Sequence, residues 1–336
     1  MPTKWKKGER VNMSESGGAV VDERWPKGKT RFEERFGNNL TRIIVALVGI
    51  PLVLGLFYLG GWWFVAFVTA ISVGALLEFY WMLEKSGLRP NKSIGVVATL
   101  VAFAISGWAI YVVNFDVFFG VIIFATSYLS FILFVLIAMI AALRHEKEAV
   151  LGSVIGTLGG IFYIPFLLNT MTGLYIVFQV EASRTMQNTP QVSSFDTPFP
   201  FYFFMIMLAG IWICDSGAYF GGRAFGKHKL FERVSPKKTW EGAITGALFS
   251  IVAVGFLLPW VFPKLSWVDG VAVGLIAGLF GQIGDLVESH IKRACGVKDS
   301  SQIIPGHGGL LDRFDSLLFV APATFLYFLA KFFFQS

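Results

Sequence analysis

Charge is what this 336-residue sequence has least of: Asp, Glu, Lys and Arg make up 15% of it, against about 25% in an ordinary soluble domain. Together with 55% hydrophobic residues and a mean hydropathy of +0.64, that shortage excludes a water-soluble globule. Cysteine is scarce as well. Cys214 lies in an apolar run and Cys295 in a basic loop, so the two thiols make no disulfide framework and no redox role follows. The four histidines form no Cys/His zinc pattern. Also missing are the GxxxxGK[ST] phosphate loop, the GxSxG nucleophile elbow and the GxGxxG dinucleotide turn. Strands of roughly ten alternating residues, as in an outer-membrane barrel, are absent too. Residues 1–42 have no early apolar core followed by a cleavage site, and read as a flexible cytoplasmic tail rather than a signal peptide.

Long apolar runs are what the sequence has in abundance. They fall at 43–59, 62–83, 94–113, 117–143, 150–168, 199–220, 242–261, 267–284 and 310–333, each near the 20 residues needed to cross a bilayer as a helix. The expected fold is all-α: a polytopic transmembrane helical protein of about nine spans. Its expected divisions are the tail 1–42, a first helical region 43–198 and a second region 199–336. Residues 169–198, rich in Thr, Ser, Gln and Asn, read as a long outward loop. The tail carries ten Lys and Arg, and the four connections on the same side, with Arg313, bring the total to 25 of 28. Only Arg184, Lys264 and Lys331 fall on the other side. By the positive-inside rule the N-terminus is cytoplasmic. The formal charge of +6 and pI of 9.2 then follow from topology, with no nucleic-acid partner needed.

Three polar clusters interrupt this pattern, all on the inward side. The first, Cys214-Asp215-Ser216-Gly217-Ala218-Tyr219, places an acid about five residues inside the expected end of the sixth span. An acid at that depth is costly and tends to face a partner or a wet cavity; a simple pairing with Arg223 is the plainer possibility. The second holds six Lys and Arg between Arg223 and Lys238, ending in Ser235-Pro236-Lys237-Lys238-Thr239-Trp240-Glu241-Gly242. Lysine charge, hydroxyl donors and backbone N–H groups here suit a polyphosphate, although inward loops are basic anyway. In the third, Asp285, Glu288, Ser289 and Lys292 form one helical stripe. Arg293, Lys298 and Asp299 come next, then Pro305-Gly306-His307-Gly308-Gly309, Asp312, Arg313 and Asp315. Because the eighth and ninth spans are antiparallel, Asp285 and Asp312 are expected at similar depth across one helix pair. Two hard carboxylates at one site suit Mg²⁺, which keeps waters and binds substrate phosphates. The glycines beside His307 let backbone donors approach an anion.

The run from Ser289-His-Ile-Lys292-Arg293 through Lys298-Asp299 and Pro305-Gly-His307-Gly-Gly309 to Asp312-Arg313-Phe-Asp315 resembles, without gaps, the signature of the phosphatidate cytidylyltransferase (CDP-diacylglycerol synthase) family, in its bacterial form. Asp215-Ser-Gly-Ala-Tyr219, Gly226-Lys227 and the 235–242 stretch are similar to that family in the expected order. The likeness covers roughly 210–320; the tail is longer than is typical and takes no role from it. The resemblance implies condensation of CTP with phosphatidic acid to CDP-diacylglycerol and pyrophosphate. Carried over, Asp285 and Asp312 hold the catalytic metal, Mg²⁺ with room for a second cation, and Lys292 sits at the same centre. Asp215, Ser235, Lys237, Lys238, Arg293, Lys298, Asp299, His307, Gly308, Gly309, Arg313 and Asp315 serve the nucleotide or phosphates. A homodimer in the bacterial inner membrane, with its site facing the cytoplasm, is also implied. Two other classes stay open at this point. One is a CTP-dependent lipid or polyprenol kinase, which yields CDP instead of pyrophosphate. The other is a transporter, which binds or moves solute without nucleotide turnover.

Overall fold

In lipid every backbone N–H and C=O must be paired within the segment, so apolar runs of this length fold as helices. The computed structural model describes residues 38–113, 117–142, 147–186, 199–306 and 308–335; His307 and nearly all of the tail lie outside them. The helices are α1 (Asn38–Leu59), α2 (Gly61–Lys85), α3 (Lys92–Val113), α4 (Val117–Ala142), α5 (Lys147–Ile161), α6 (Leu167–Met186), α7 (Phe199–Phe225), α8 (Trp240–Val261), α9 (Trp267–Ala294), the single turn α10 (Leu311–Phe314) and α11 (Leu317–Gln335). Among the described residues, nine helices are long and apolar enough to cross a membrane, as expected from the hydropathy.

One local expectation needs correction. The outward loop does not begin at Asn169: a π-helical turn, Phe162–Phe166, containing Pro165, carries the chain from α5 into α6, and helix continues to Met186. Polar residues there are buried rather than looped out. Asn169 accepts a hydrogen bond from Ser106 Oγ (2.8 Å) and donates one to Ser127 Oγ (2.9 Å), tying α6 to α3 and α4. The basic connection after α7 has regular structure of its own. It holds an antiparallel hairpin, β1 (Lys229–Phe231) and β2 (Ser235–Thr239), and Thr239 then caps α8 by accepting from Gly242 N (3.2 Å).

The helices nearest the polar clusters pack through glycine. A Cβ at Gly274 would lie 2.7 Å from Ile251 Cα, and one at Gly278 2.8 Å from Ala247 Cα, so α8 and α9 meet backbone to backbone. Small residues drive such contacts in membranes, where no hydrophobic effect separates helix from lipid. At one end of this bundle Ser266 and Asp269 form a capping box on α9, and Asp269 binds Lys331 Nζ (2.5 Å) and Tyr327 Oη (2.6 Å) of α11. Lys264 likewise pairs with Glu181 (3.3 Å). Two of the three cations expected on the outward side, Lys264 and Lys331, are therefore neutralised by acids. The opposite end gathers the polar clusters.

Candidate active site

The C-terminal turns of α9 supply the centre of the site. Helical spacing points Asp285, Glu288, Ser289 and Lys292 the same way, and the structure gives each a partner. Lys238, the last residue before the Thr239 cap, ion-pairs with Asp285 (2.6 Å), to which Ser289 Oγ also donates (3.2 Å). Lys292 lies between Glu288 (2.5 Å) and Asp312 (2.6 Å). Asp312 is held further by the amides of Gly309 (2.9 Å) and Ser300 (3.1 Å). A cation this buried needs an acid beside it, since left alone it would be costly.

The chain between α9 and α10 folds back tightly. Gly296, Gly306 and Gly308 have φ of 71°, 74° and 83°, a left-handed conformation that favours glycine. Ile304 N donates to Gly308 O (2.9 Å). On the far side Glu78 of α2, 1% exposed, accepts four hydrogen bonds from this segment. Arg42 of α1 donates through Nε to Gly306 O (2.8 Å).

These elements enclose a polar cavity of about 560 Å³. Of the residues singled out in the sequence, Asp215, Asp285, Lys292, Lys298, Asp299, Gly308, Asp312, Arg313 and Asp315 lie on its wall. Lys238 reaches the site through Asp285, and Gly309 through its amide on Asp312. Ser235 and Lys237 sit on β2 away from the wall, Lys237 being exposed, and Arg293 bonds Val297 O (3.0 Å) at the surface. Asp215 lies ten residues before the end of α7, deeper than expected, because that helix runs on to Phe225. Its plainer pairing with Arg223 is not formed; Arg223 donates to Tyr219 Oη (3.4 Å). Arg42 and Glu78 were missed. Arg42 reads as the last cation of a tail, and a lone acid in an apolar run carries no spacing signal.

A second, largely apolar cavity of about 340 Å³ lies between α1 and α7, lined by Gly49, Ile50, Val53, Leu54, Leu208 and Trp212 among others. It shares Asp215, Asp312, Arg313, Asp315 and Ser316 with the polar cavity. One polar chamber and one apolar cleft therefore meet at the same five residues.

The donor set fits a hard divalent cation. Each of Asp285 and Asp312 faces the chamber with an ammonium 2.6 Å away, so the wall already stabilises positive charge against both carboxylates. Among the described residues no three His, Cys, Asp or Glu side chains converge into a ready-made cage. Two carboxylates are the number of protein ligands Mg²⁺ commonly takes, its other positions going to water and phosphate oxygens.

A family model described as "Cytidylyltransferase family" matches residues 40–331. The chain belongs to this family. It is thus a membrane-spanning nucleotidyltransferase. Among its relatives, a protein of Synechocystis sp. named phosphatidate cytidylyltransferase is 33% identical over 294 residues, covering 85% of this chain and 95% of that protein. Proteins of the same name from Staphylococcus aureus (strain COL) and Staphylococcus haemolyticus are 52% identical over 113 residues and 51% over 112, each covering 33% of this chain and 43% of the relative. The chamber in this cytidylyltransferase is lined by both acids and cations.

Proposed function

We propose that this cytidylyltransferase condenses CTP with phosphatidic acid to give CDP-diacylglycerol and pyrophosphate, a step of phospholipid synthesis. The observation that carries the reading is the junction of the polar chamber with the apolar cleft. A nucleotide triphosphate is wholly polar, and a phosphatidic acid carries its only charge at one end of two hydrocarbon chains. The chamber suits the first, the cleft between α1 and α7 suits the chains of the second, and the five shared residues lie where the two phosphates must meet.

In this reading a lipid phosphate oxygen attacks the α-phosphorus of CTP, the bond from that phosphorus to the bridging oxygen breaks, and pyrophosphate leaves with the electron pair. The nucleophile is already an anion, so no strong general base is required. The chief obstacle is repulsion between phosphates, which positioned cations reduce. Lys292, Lys298, Arg313 and Arg42 line the chamber, and Lys238 stands behind Asp285; these residues neutralise and orient the phosphates. Asp285 and Asp312 would hold Mg²⁺, which offsets charge on the nucleotide phosphates, while Asp215 and Asp315 remain for a second cation. The cation asymmetry of the connections supports a chamber open to the cytoplasm, and the bacterial relatives support the plasma membrane. A homodimer belongs to the same reading; native mass spectrometry from lipid nanodiscs tests it, a monomer being the adverse result.

The decisive assay incubates the purified protein with phosphatidic acid, labelled CTP and Mg²⁺ and identifies both products. CDP-diacylglycerol and pyrophosphate in equal amounts are expected. CDP with a newly phosphorylated lipid would make the protein a kinase, and nucleotide binding with no product would leave it a transporter.

A further inference from the structure

We propose that Glu78, in the second transmembrane helix and more than 200 residues from the catalytic segment, is a positioning residue that sets where Asp312 and Lys292 stand in the chamber. This rests on the active-site reading above. The carboxylate is 1% exposed, and no cation pairs with it among the described residues. It is compensated by four donors, two on each oxygen. Oε2 accepts from Ser300 Oγ (2.8 Å) and Leu311 N (2.9 Å). Oε1 accepts from Ser301 Oγ (2.5 Å) and Leu310 N (2.9 Å). Burying an anion is expensive unless its oxygens are hydrogen-bonded, and here every partner comes from the segment that carries the site.

The grip is transmitted to Asp312 by two short routes. Ser300 donates its hydroxyl to Glu78 and its backbone N–H to Asp312 (3.1 Å), so the two acids hold one residue between them. Gly309 donates its N–H to Asp312 (2.9 Å), and a Cβ on Gly309 would collide with Ser300 Oγ and come within 2.5 Å of Glu78 Oε2. Asp312 in turn pairs with Lys292 (2.6 Å). Lys298, Asp299 and Gln302, on the chamber wall, flank the two gripped serines. A shift of the Glu78 carboxylate therefore moves both the wall and its central ion pair.

The choice of glutamate follows from this geometry. A glutamine has the same shape but one acceptor oxygen, and whichever way it turns, its NH₂ confronts a backbone N–H, that of Leu310 or that of Leu311. Serine hydroxyls can rotate to accept from an amide; a backbone N–H cannot.

The test uses the full chain in lipid nanodiscs. With Glu78→Gln, hydrogen exchange of the amides between 299 and 311 should accelerate by about tenfold, the equivalent of one lost hydrogen bond. α8 and α9 should keep wild-type protection. The kcat per folded protein should fall by about a hundredfold, the scale of a small misplacement at a reacting centre, with the KM for CTP nearly unchanged. Unaltered kcat with unaltered exchange would overturn the proposal. So would exchange rising across the whole protein while the folded fraction keeps wild-type kcat, since Glu78 would then be only a structural anchor. Should Glu78→Gln fail to fold, the pair Ser300→Ala and Ser301→Ala decides. It removes the two hydroxyl donors and leaves both amides on Glu78; it must lower kcat in the same direction, and wild-type kcat would overturn the idea. If the wild-type protein makes no CDP-lipid, the functional reading fails on its own, and exchange at 299–311 still decides whether Glu78 holds the segment.

Discussion

Asp285 and Asp312 are the same residue type on the same chamber and have different surroundings, so they should respond differently to the same change. The Asp312 and Lys292 side chains are 10% and 11% exposed, whereas that of Asp285 is 37% exposed and Lys238 faces it from a hairpin. Asp285→Asn and Asp312→Asn keep the shape and remove the charge. Both should cut turnover by about a hundred- to a thousandfold, the usual loss for a preorganised electrostatic group. Only Asp312→Asn should also lower the melting temperature appreciably, because it removes one of the two acids that hold Lys292 in a buried site, at a cost of up to about 3 kcal/mol. The Asp285 pair is open to solvent and is worth little to stability. EDTA should abolish wild-type activity and Mg²⁺ restore it. Either variant with near-wild-type turnover and the same Mg²⁺ dependence would remove the two-acid site. In the basic hairpin, Lys238→Ala should weaken CTP use by about ten- to a hundredfold, as for a lost charge-assisted contact. Lys237→Ala, altering an exposed side chain on the same strand, should do much less; equal losses would place both lysines on phosphate.

At the level of helices, what positions α9 is the absence of side chains. Gly274 and Gly278 bring its backbone against Ile251 and Ala247 of α8, and Gly246 does the same for α8 against Cys214 of α7. Helices in contact this close can be shifted only together, so Asp215 on α7 and Asp285 on α9 are held in register across α8. Gly278→Ala should separate α8 from α9 and destabilise the protein by about 1–3 kcal/mol, the range for overpacking a filled interface. The contrasting change is Gly159→Ala on α5, where nothing lies within 4 Å; there the helix should gain up to about 1 kcal/mol. Thermal unfolding of both variants in nanodiscs measures the contrast, and a shared sign would show that packing at Gly278 is looser than drawn.

Across the whole molecule, the alternation of nine spans sends every polar cluster to one end. Arg42, Glu78, the 226–239 hairpin and the 285–315 segment all meet there, and the two acid-neutralised cations Lys264 and Lys331 sit at the other. Which end faces the cytoplasm is tested with introduced thiols, since both native cysteines are buried. In sealed right-side-out vesicles, Gly17→Cys and Lys227→Cys should be protected from an impermeant reagent and Pro263→Cys should react. Labelling at Lys227→Cys in intact vesicles would invert the topology.

The sequence by itself determined the helical class, the number of spans and the acid stripe at 285–292, because each follows from short-range physics. Hydrocarbon tolerates no unpaired backbone, so an apolar run of about 20 residues has one outcome, and side chains four apart on a helix share a face. The signature between Ser289 and Asp315 was legible for the same reason: its residues are near neighbours along the chain. Local hydropathy failed where buried polar groups had partners elsewhere, as at Asn169, whose bonds to Ser106 and Ser127 keep α6 helical beyond the apolar run. Only the tertiary structure assigned Lys238 to Asp285, Arg42 to Gly306 and Glu78 to the 300–311 segment. These pairs are 47 to 264 residues apart in the chain. Whether they meet depends on which helices pack together, and that is decided by glycine contacts and the burial of charge, quantities that exist only between helices.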